Sequence, residues 1–336
     1  MSNNQSILSK EIQGKEIQEF VSQNDFGNAA KFLLKHQKLS WPQLRQGYEF
    51  LEGVKTKSFQ FPGFEIKIQY NPGRIISSSA KVDHKSINKR ECFLCLKNLP
   101  KEQKGIIYKD EFIILANPYP IFPEHFTVSS LNHIPQTIFK NFRTMLHLAR
   151  DLSKYYTVFY NGPRCGASAP DHLHFQACSK SVMPLESELD QIIKKYSWIL
   201  LRNQNGLLYS IDDGIRKFFL LQFKKISDIE KNFKTVYTIF QKLDGTTEEP
   251  MMNLIVNYDE ETWRLIIFLR EKHRPSFYEK GILWSPAAVD LGGLCIFPVE
   301  KNFDMISLAH LTQGFKEIII SNETFHYIIK KIKEVI

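Results

Sequence analysis

The chain has no run approaching the ~18 consecutive apolar residues that a membrane-spanning helix needs. Its first residues, Met1-Ser-Asn-Asn-Gln5, are polar and have no apolar signal segment behind them. Lysine and arginine are scattered rather than gathered into blocks, which gives nucleic-acid binding little support. No segment is of low complexity. Cysteines number only five, an odd count, so a disulfide framework is not indicated; reduced thiols in the cytoplasm are.

What is present suits a folded protein. Apolar residues make up 43% and aromatics 13% of 336 residues, enough for a sizeable core. That length exceeds the usual domain size, so one large domain or two fused halves is expected. A formal charge of +8 suits an anionic substrate such as a nucleotide.

Helical periodicity runs through residues 9–52, with Ile12, Ile17, Phe20 and Val21 on one stripe. Ser40 is a candidate cap for a helix in whose first turn Pro42 fits. From Phe59 the period shortens to two. Strands are expected around Phe61–Ile68, Phe112–Ala116, Phe126–Val128, Tyr156–Tyr160 and His172–Cys178, with a helix from Gln136 to Leu152. The second half repeats the style, with strands at Leu207–Ile211, Phe218–Phe223, Leu254–Asn257, Trp263–Leu269 and Leu294–Phe297. A helix is expected at Asp228–Leu243 and others at 303–316 and 322–335. The pattern predicts an α+β fold: an N-terminal helical segment (1–58), a first half (59–200) and a second (201–336), each half on an antiparallel sheet.

The densest chemistry lies in Asp171-His172-Leu173-His174-Phe175-Gln176-Ala177-Cys178. On a strand, His172, His174 and Gln176 share one face while Leu173, Phe175 and Ala177 enter a core. The preceding Asn161–Pro170 stretch is rich in turn residues and could hold phosphate through backbone N–H groups. Asn161, Arg164, Gly166 and Ser168 are therefore candidate substrate contacts. Arg74 and Lys81 could add positive charge. Cys92-Phe-Leu-Cys95 reads as half a zinc site or as a redox pair.

His172-x-His174-x-Gln176 resembles the signature of the transferase branch of the histidine-triad superfamily. That branch includes galactose-1-phosphate uridylyltransferase, the diadenosine tetraphosphate phosphorylases and the GDP-hexose phosphorylases. The wording His172-Leu-His-Phe-Gln-Ala177 is most similar to the plant GDP-L-galactose phosphorylases. Over residues 45–315 the chain resembles an uncharacterised bacterial family (DUF4922-like). The motifs are Gln69-Tyr-Asn-Pro-Gly-Arg74, Glu91-Cys-Phe-Leu-Cys95, Asn117-Pro-Tyr-Pro-Ile-Phe-Pro-Glu-His125 and Asn161-Gly-Pro-Arg-Cys-Gly-Ala-Ser-Ala-Pro-Asp-His172.

The resemblance implies two histidine-triad-like halves, with His174 as a nucleophile that attacks the α-phosphorus to form a nucleotidyl–histidine. Gln176 has no titratable proton, so it can orient phosphoryl oxygens but cannot activate water. An acceptor that arrives ionised, inorganic phosphate or a sugar phosphate, is then favoured over hydrolysis. The resemblance also implies that Asn117 lies near phosphate or ribose, and that Cys92, Cys95, His133 and His172 hold a structural zinc. The metal-free alternative is two buried cysteines beside two hydrogen-bonding histidines. His125 reads as a structural histidine at a strand start. The expected activity is phosphorolysis of an NDP-sugar, GDP-hexose favoured, or of a dinucleoside polyphosphate. The alternatives are a hexose-1-phosphate uridylyltransferase and an inactive nucleotide-binding protein. A homodimer is also open.

Overall fold

The protein is described here by a computed structural model covering residues 7, 9–75, 87, 89–245 and 248–335. Lys81 lies outside the described residues. Helices α1 (Lys15–Ser22), α2 (Phe26–Ser40) and α3 (Pro42–Glu52) form the N-terminal segment. Asp25 caps α2 by accepting from the Asn28 N–H at 3.0 Å. Ser40 ends α2 rather than capping α3, because its hydroxyl bonds back to the His36 carbonyl at 3.0 Å.

Strands β1 (Lys55–Phe61) and β2 (Phe64–Tyr70) form a hairpin. Then come β3 (Gly105–Tyr108), β4 (Phe112–Ala116), β5 (His125–Ser130), α4 (Phe142–Asp151), β6 (Tyr156–Asn161) and β7 (His174–Ser179). After α5 (Pro184–Tyr196) follow β8 (Ser197–Asn203), β9 (Gly206–Asp212), β10 (Lys217–Phe223), α6 (Ile226–Asp244), β11 (Met252–Asp259) and β12 (Thr262–Leu269). The chain ends with α7 (Ala288–Leu291), β13 (Leu294–Phe297), α8 (Glu300–Met305), α9 (Leu308–Ile318) and α10 (Asn322–Val335).

The expected α+β class is what the structure has, and the two halves share one sheet. Its ten strands run β3-β4-β5-β7-β6-β11-β12-β10-β9-β8, every neighbour antiparallel. Counted inward from either edge, each half has the order first, second, third, fifth, fourth. In each half a helix, α4 or α6, links the third strand to the fourth. The fold is thus a repeated unit joined through its two fourth strands, β6 and β11, with Val158 opposite Val256 and Asn161 opposite Asn253. The hairpin β1–β2 stands apart: β13 adds to β2 in parallel, giving a second, three-stranded sheet.

The structure departs from the sequence pattern at three further points. The strand carrying the motif begins at His174, so His172 lies ahead of it and turns into a separate cluster. The helix expected from Gln136 starts only at Phe142, because the side chain of Gln136 is drawn into the sheet. Strand β8 was not anticipated; its Trp198 and Ile199 are exposed at the sheet edge, so it lacks the buried alternation that marks a strand.

Candidate active site

Cross-strand register assembles the polar face. On β5 and β7, Ser129 lies opposite His174, Thr127 opposite Gln176, and His125 opposite Cys178. Directly opposed residues project to the same side of a sheet. Phe126, Val128, Phe175 and Ala177 project to the other side and are buried there.

His174 is 4% exposed. Its Nδ1 lies 2.8 Å from the His172 carbonyl oxygen, so Nδ1–H donates and the Nε2 lone pair is left available. Burial draws the imidazole down to about 4, well below the usual histidine range, and keeps it neutral.

Gln176 is partly exposed beside it. Its Oε1 lies 3.0 Å from Nε2 of His125, a residue wholly buried between Phe122 and Phe159. Burial holds the His125 ring neutral, down to about 3, so its single proton sits on Nε2 and donates to the amide oxygen. The NH2 end of Gln176 is then turned away from His125, able to donate. Sequence reasoning gave His125 only a structural part. The alternation His125-Phe126-Thr127-Val128-Ser129, the same polar–apolar pattern as in β7, was the available signal.

The surrounding loops are pinned by polar side chains. Asn117 accepts from the Tyr119 N–H at 2.9 Å and donates to Thr127 Oγ1 at 3.2 Å, which joins the Pro-rich turn to the polar face. Arg74 donates to the Tyr119 carbonyl at 3.0 Å. Helix α3 presses on this turn through Gly47, where a Cβ would stand 2.2 Å from the Pro118 carbonyl oxygen. Tyr48, next in α3, accepts from the His125 N–H at 3.2 Å.

The turn-rich segment is tied to the second half. Asn161 Oδ1 accepts from Asn253 Nδ2 and from the Ala288 N–H, each at 2.9 Å. Asn253 accepts in turn from the buried Arg270 at 2.7 Å. Gly166, at φ 106°, packs against Ala287, where a Cβ would come within 2.6 Å of the alanine Cβ. Arg164 points towards the end of α6, donating to Asp244 Oδ2 and the Glu249 carbonyl at 3.1 Å each. The Ser168 carbonyl faces Arg90, whose guanidinium binds Asp171 at 2.7 Å.

A second cluster adjoins the face. The donor atoms of Cys92, Cys95, His133 and His172 all lie within 4.8 Å of one another. Cys92 Sγ is 3.3 Å from His172 Nδ1, Cys95 Sγ is 3.3 Å from His133 Nδ1, and the two Nδ1 atoms are 3.3 Å apart. A tetrahedral ion with bonds of roughly 2.0–2.3 Å spaces its donors roughly 3.3–3.8 Å apart, so a metal ion fits. His172 Nε2 is 2.8 Å from the Ser130 carbonyl, which fixes its proton there and turns the Nδ1 lone pair into the cluster.

Residues 33–179 match the family described as "Domain of unknown function (DUF4922)". The DUF4922 match ends at the last residue of β7 and includes the polar face, the Cys/His cluster and the Asn161–Pro170 segment. The chain is also similar to yeast Ap4A phosphorylase Apa2. In complex with AMP that protein shares 16% identity over 86% of this chain and 96% of its own, at a TM-score of 0.54. In complex with Ap4A the figures are 13%, 84%, 97% and 0.52. At these identities the likeness establishes the fold. No curated protein matches in sequence. Among the described residues no helix is long and apolar enough to cross a membrane.

Proposed function

We propose that the protein is a nucleotidyltransferase of the phosphorylase type, acting on an NDP-sugar or a dinucleoside polyphosphate. The observation that carries this reading is the His172 carbonyl on His174 Nδ1, which leaves Nε2 as an unprotonated nucleophile on a polar face. In the first step the Nε2 lone pair attacks the α-phosphorus, a P–N bond forms, and the P–O bond to the leaving phosphate ester breaks. In the second an oxygen of inorganic phosphate attacks the same phosphorus, and the P–N bond electrons return to His174. The products are a nucleoside diphosphate and either a sugar phosphate or a mononucleoside polyphosphate.

Gln176 supports the choice of acceptor. Its amide can donate to phosphoryl oxygens but cannot take a proton from water, whereas phosphate arrives ionised. The fold shared with Ap4A phosphorylase Apa2 supports the reaction class. A guanine nucleotide linked to a hexose is the favoured substrate, from the His172–Ala177 wording. Asn117, Arg74, Asn161, Arg164, Gly166 and Ser168 are the proposed substrate contacts. Zinc is the proposed occupant of Cys92, Cys95, His133 and His172, where it would brace the start of β7 as a structural ion. The free thiols suit a cytoplasmic setting.

The test is turnover of a panel of NDP-sugars and dinucleoside polyphosphates with and without inorganic phosphate, followed by trapping of acid-labile nucleotidyl–protein. Phosphate-dependent release of a nucleoside diphosphate is expected. Turnover only with hexose 1-phosphate would make the protein a uridylyltransferase-type enzyme. Equal rates with and without phosphate would overturn the phosphorylase assignment, and binding without any turnover would leave a nucleotide-binding protein.

A further inference from the structure

We infer that Gln136 is a positioning residue for the nucleophile, its side chain standing in for a strand partner at His174. The β6–β7 ladder runs in register from Tyr156 opposite Ser179 to Phe159 opposite Gln176. Two residues further on, the same register would set Asn161 against His174. The ladder stops short of that pair, and the Gln136 amide occupies the gap. Its Oε1 accepts from the His174 N–H at 2.7 Å, and its Nε2 donates to the His174 carbonyl at 3.0 Å. The same Nε2 donates to the Asn161 carbonyl at 2.9 Å.

Gln136 is 1% exposed, and its own N–H donates to the Pro170 carbonyl at 3.1 Å. Both main-chain groups of the nucleophile are therefore satisfied by one side chain held at its own backbone. Two consequences follow from this wedge. It keeps β6 and β7 apart where Asn161 turns away to Asn253 and Ala288. It also fixes the peptide planes on either side of His174, and so the approach of His174 Nδ1 to the His172 carbonyl. Removing the wedge leaves three buried main-chain groups to find new partners, and the simplest repair, zipping β6 onto β7, moves the imidazole.

This inference rests on the proposed nucleotidyl transfer for its kinetic arm, and a second readout needs no turnover. The full-length wild type and Gln136→Met, which fills the space without hydrogen bonds, are compared by kcat and KM for phosphorolysis. The ¹⁵N spectrum of the His174 ring is recorded for both. Gln136→Met is expected to lower kcat on the order of 30-fold with KM within about twofold. The ring, a single Nδ1–H tautomer in the wild type, becomes a mixture. Gln136→Glu, which keeps the acceptor for the His174 N–H and loses the donor, serves if the methionine variant does not fold, and is expected to shift the tautomer in the same sense. A wild-type ring spectrum in the folded variant overturns the inference, whether or not the protein turns over. A wild type without turnover overturns the proposed function instead, and the ring spectrum still decides the part played by Gln136.

Discussion

His125 Nε2 stands 3.0 Å from Gln176 Oε1, and this contact sets which end of the amide is left to donate. The ring has one proton to give, and it gives it to the oxygen. No partner for His125 Nδ1 is found among the described residues. His125→Leu should therefore let the Gln176 amide rotate, lowering kcat by about tenfold. In a Gln176→Ala background the same change should cost almost nothing, since the residue it orients is gone. Equal losses in both backgrounds would reduce His125 to a packing residue.

His174→Ala should abolish formation of the nucleotidyl–protein and lower turnover about a thousandfold or more. Its thermal midpoint should stay near the wild-type value, since among the described residues the side chain makes one hydrogen bond, to the carbonyl of His172 two positions earlier. Comparable turnover in the variant would move the nucleophile elsewhere.

Elemental analysis of untagged protein should find about one zinc per chain. Cys92→Ser should lose the metal and lower the thermal midpoint, because the cluster anchors His172 immediately before β7. Absence of metal together with an unchanged midpoint would return the four residues to a metal-free cluster.

Glu249 supplies a pH test of stability. Its buried carboxyl accepts from the Tyr160 hydroxyl at 2.6 Å and from the Ile138 N–H, and desolvation pushes it up to about 7. The folded chain thus binds a proton that the unfolded chain has released, and stability falls as pH rises from about 4.5 to about 7. The loss is on the order of 3 kcal/mol by pH 8. Glu249→Gln offers an acceptor to Ile138 and a donor to Tyr160 at every pH. Denaturant unfolding should show it more stable than the wild type at pH 8, with the decline across that window removed. An unchanged slope would place the titration on another group.

Most of the site was legible because its residues come in short, local patterns. His174 and Gln176 alternate on one strand, and the C-x-x-C pair needed only His133 and His172 to complete a cluster. Most of the strands were legible from their apolar alternation. What escaped depended on contacts distant in sequence. Gln136 follows a helical apolar pattern at Ile138, Phe142 and Met145, yet the unpaired main chain of His174 claims its side chain. Asn161 and Arg164 sit in a segment rich in turn residues, and nothing local shows that Asn253 and Asp244 hold them. Nor could periodicity reveal that two sheets were one, since the joining pair β6–β11 is separated by ninety residues of chain or more.

That joint ties the half that carries His174 to a counterpart without the His-x-His-x-Gln motif. Cut after α5, the chain would expose β6 as a raw edge bearing Val158, Phe159 and Tyr160, all buried in the intact protein. It would also strip Asn161 of both donors that hold it. A fragment of that kind would meet other fragments edge to edge and precipitate before it could bind anything. The second half, which lacks the His-x-His-x-Gln motif, keeps that edge covered through β11.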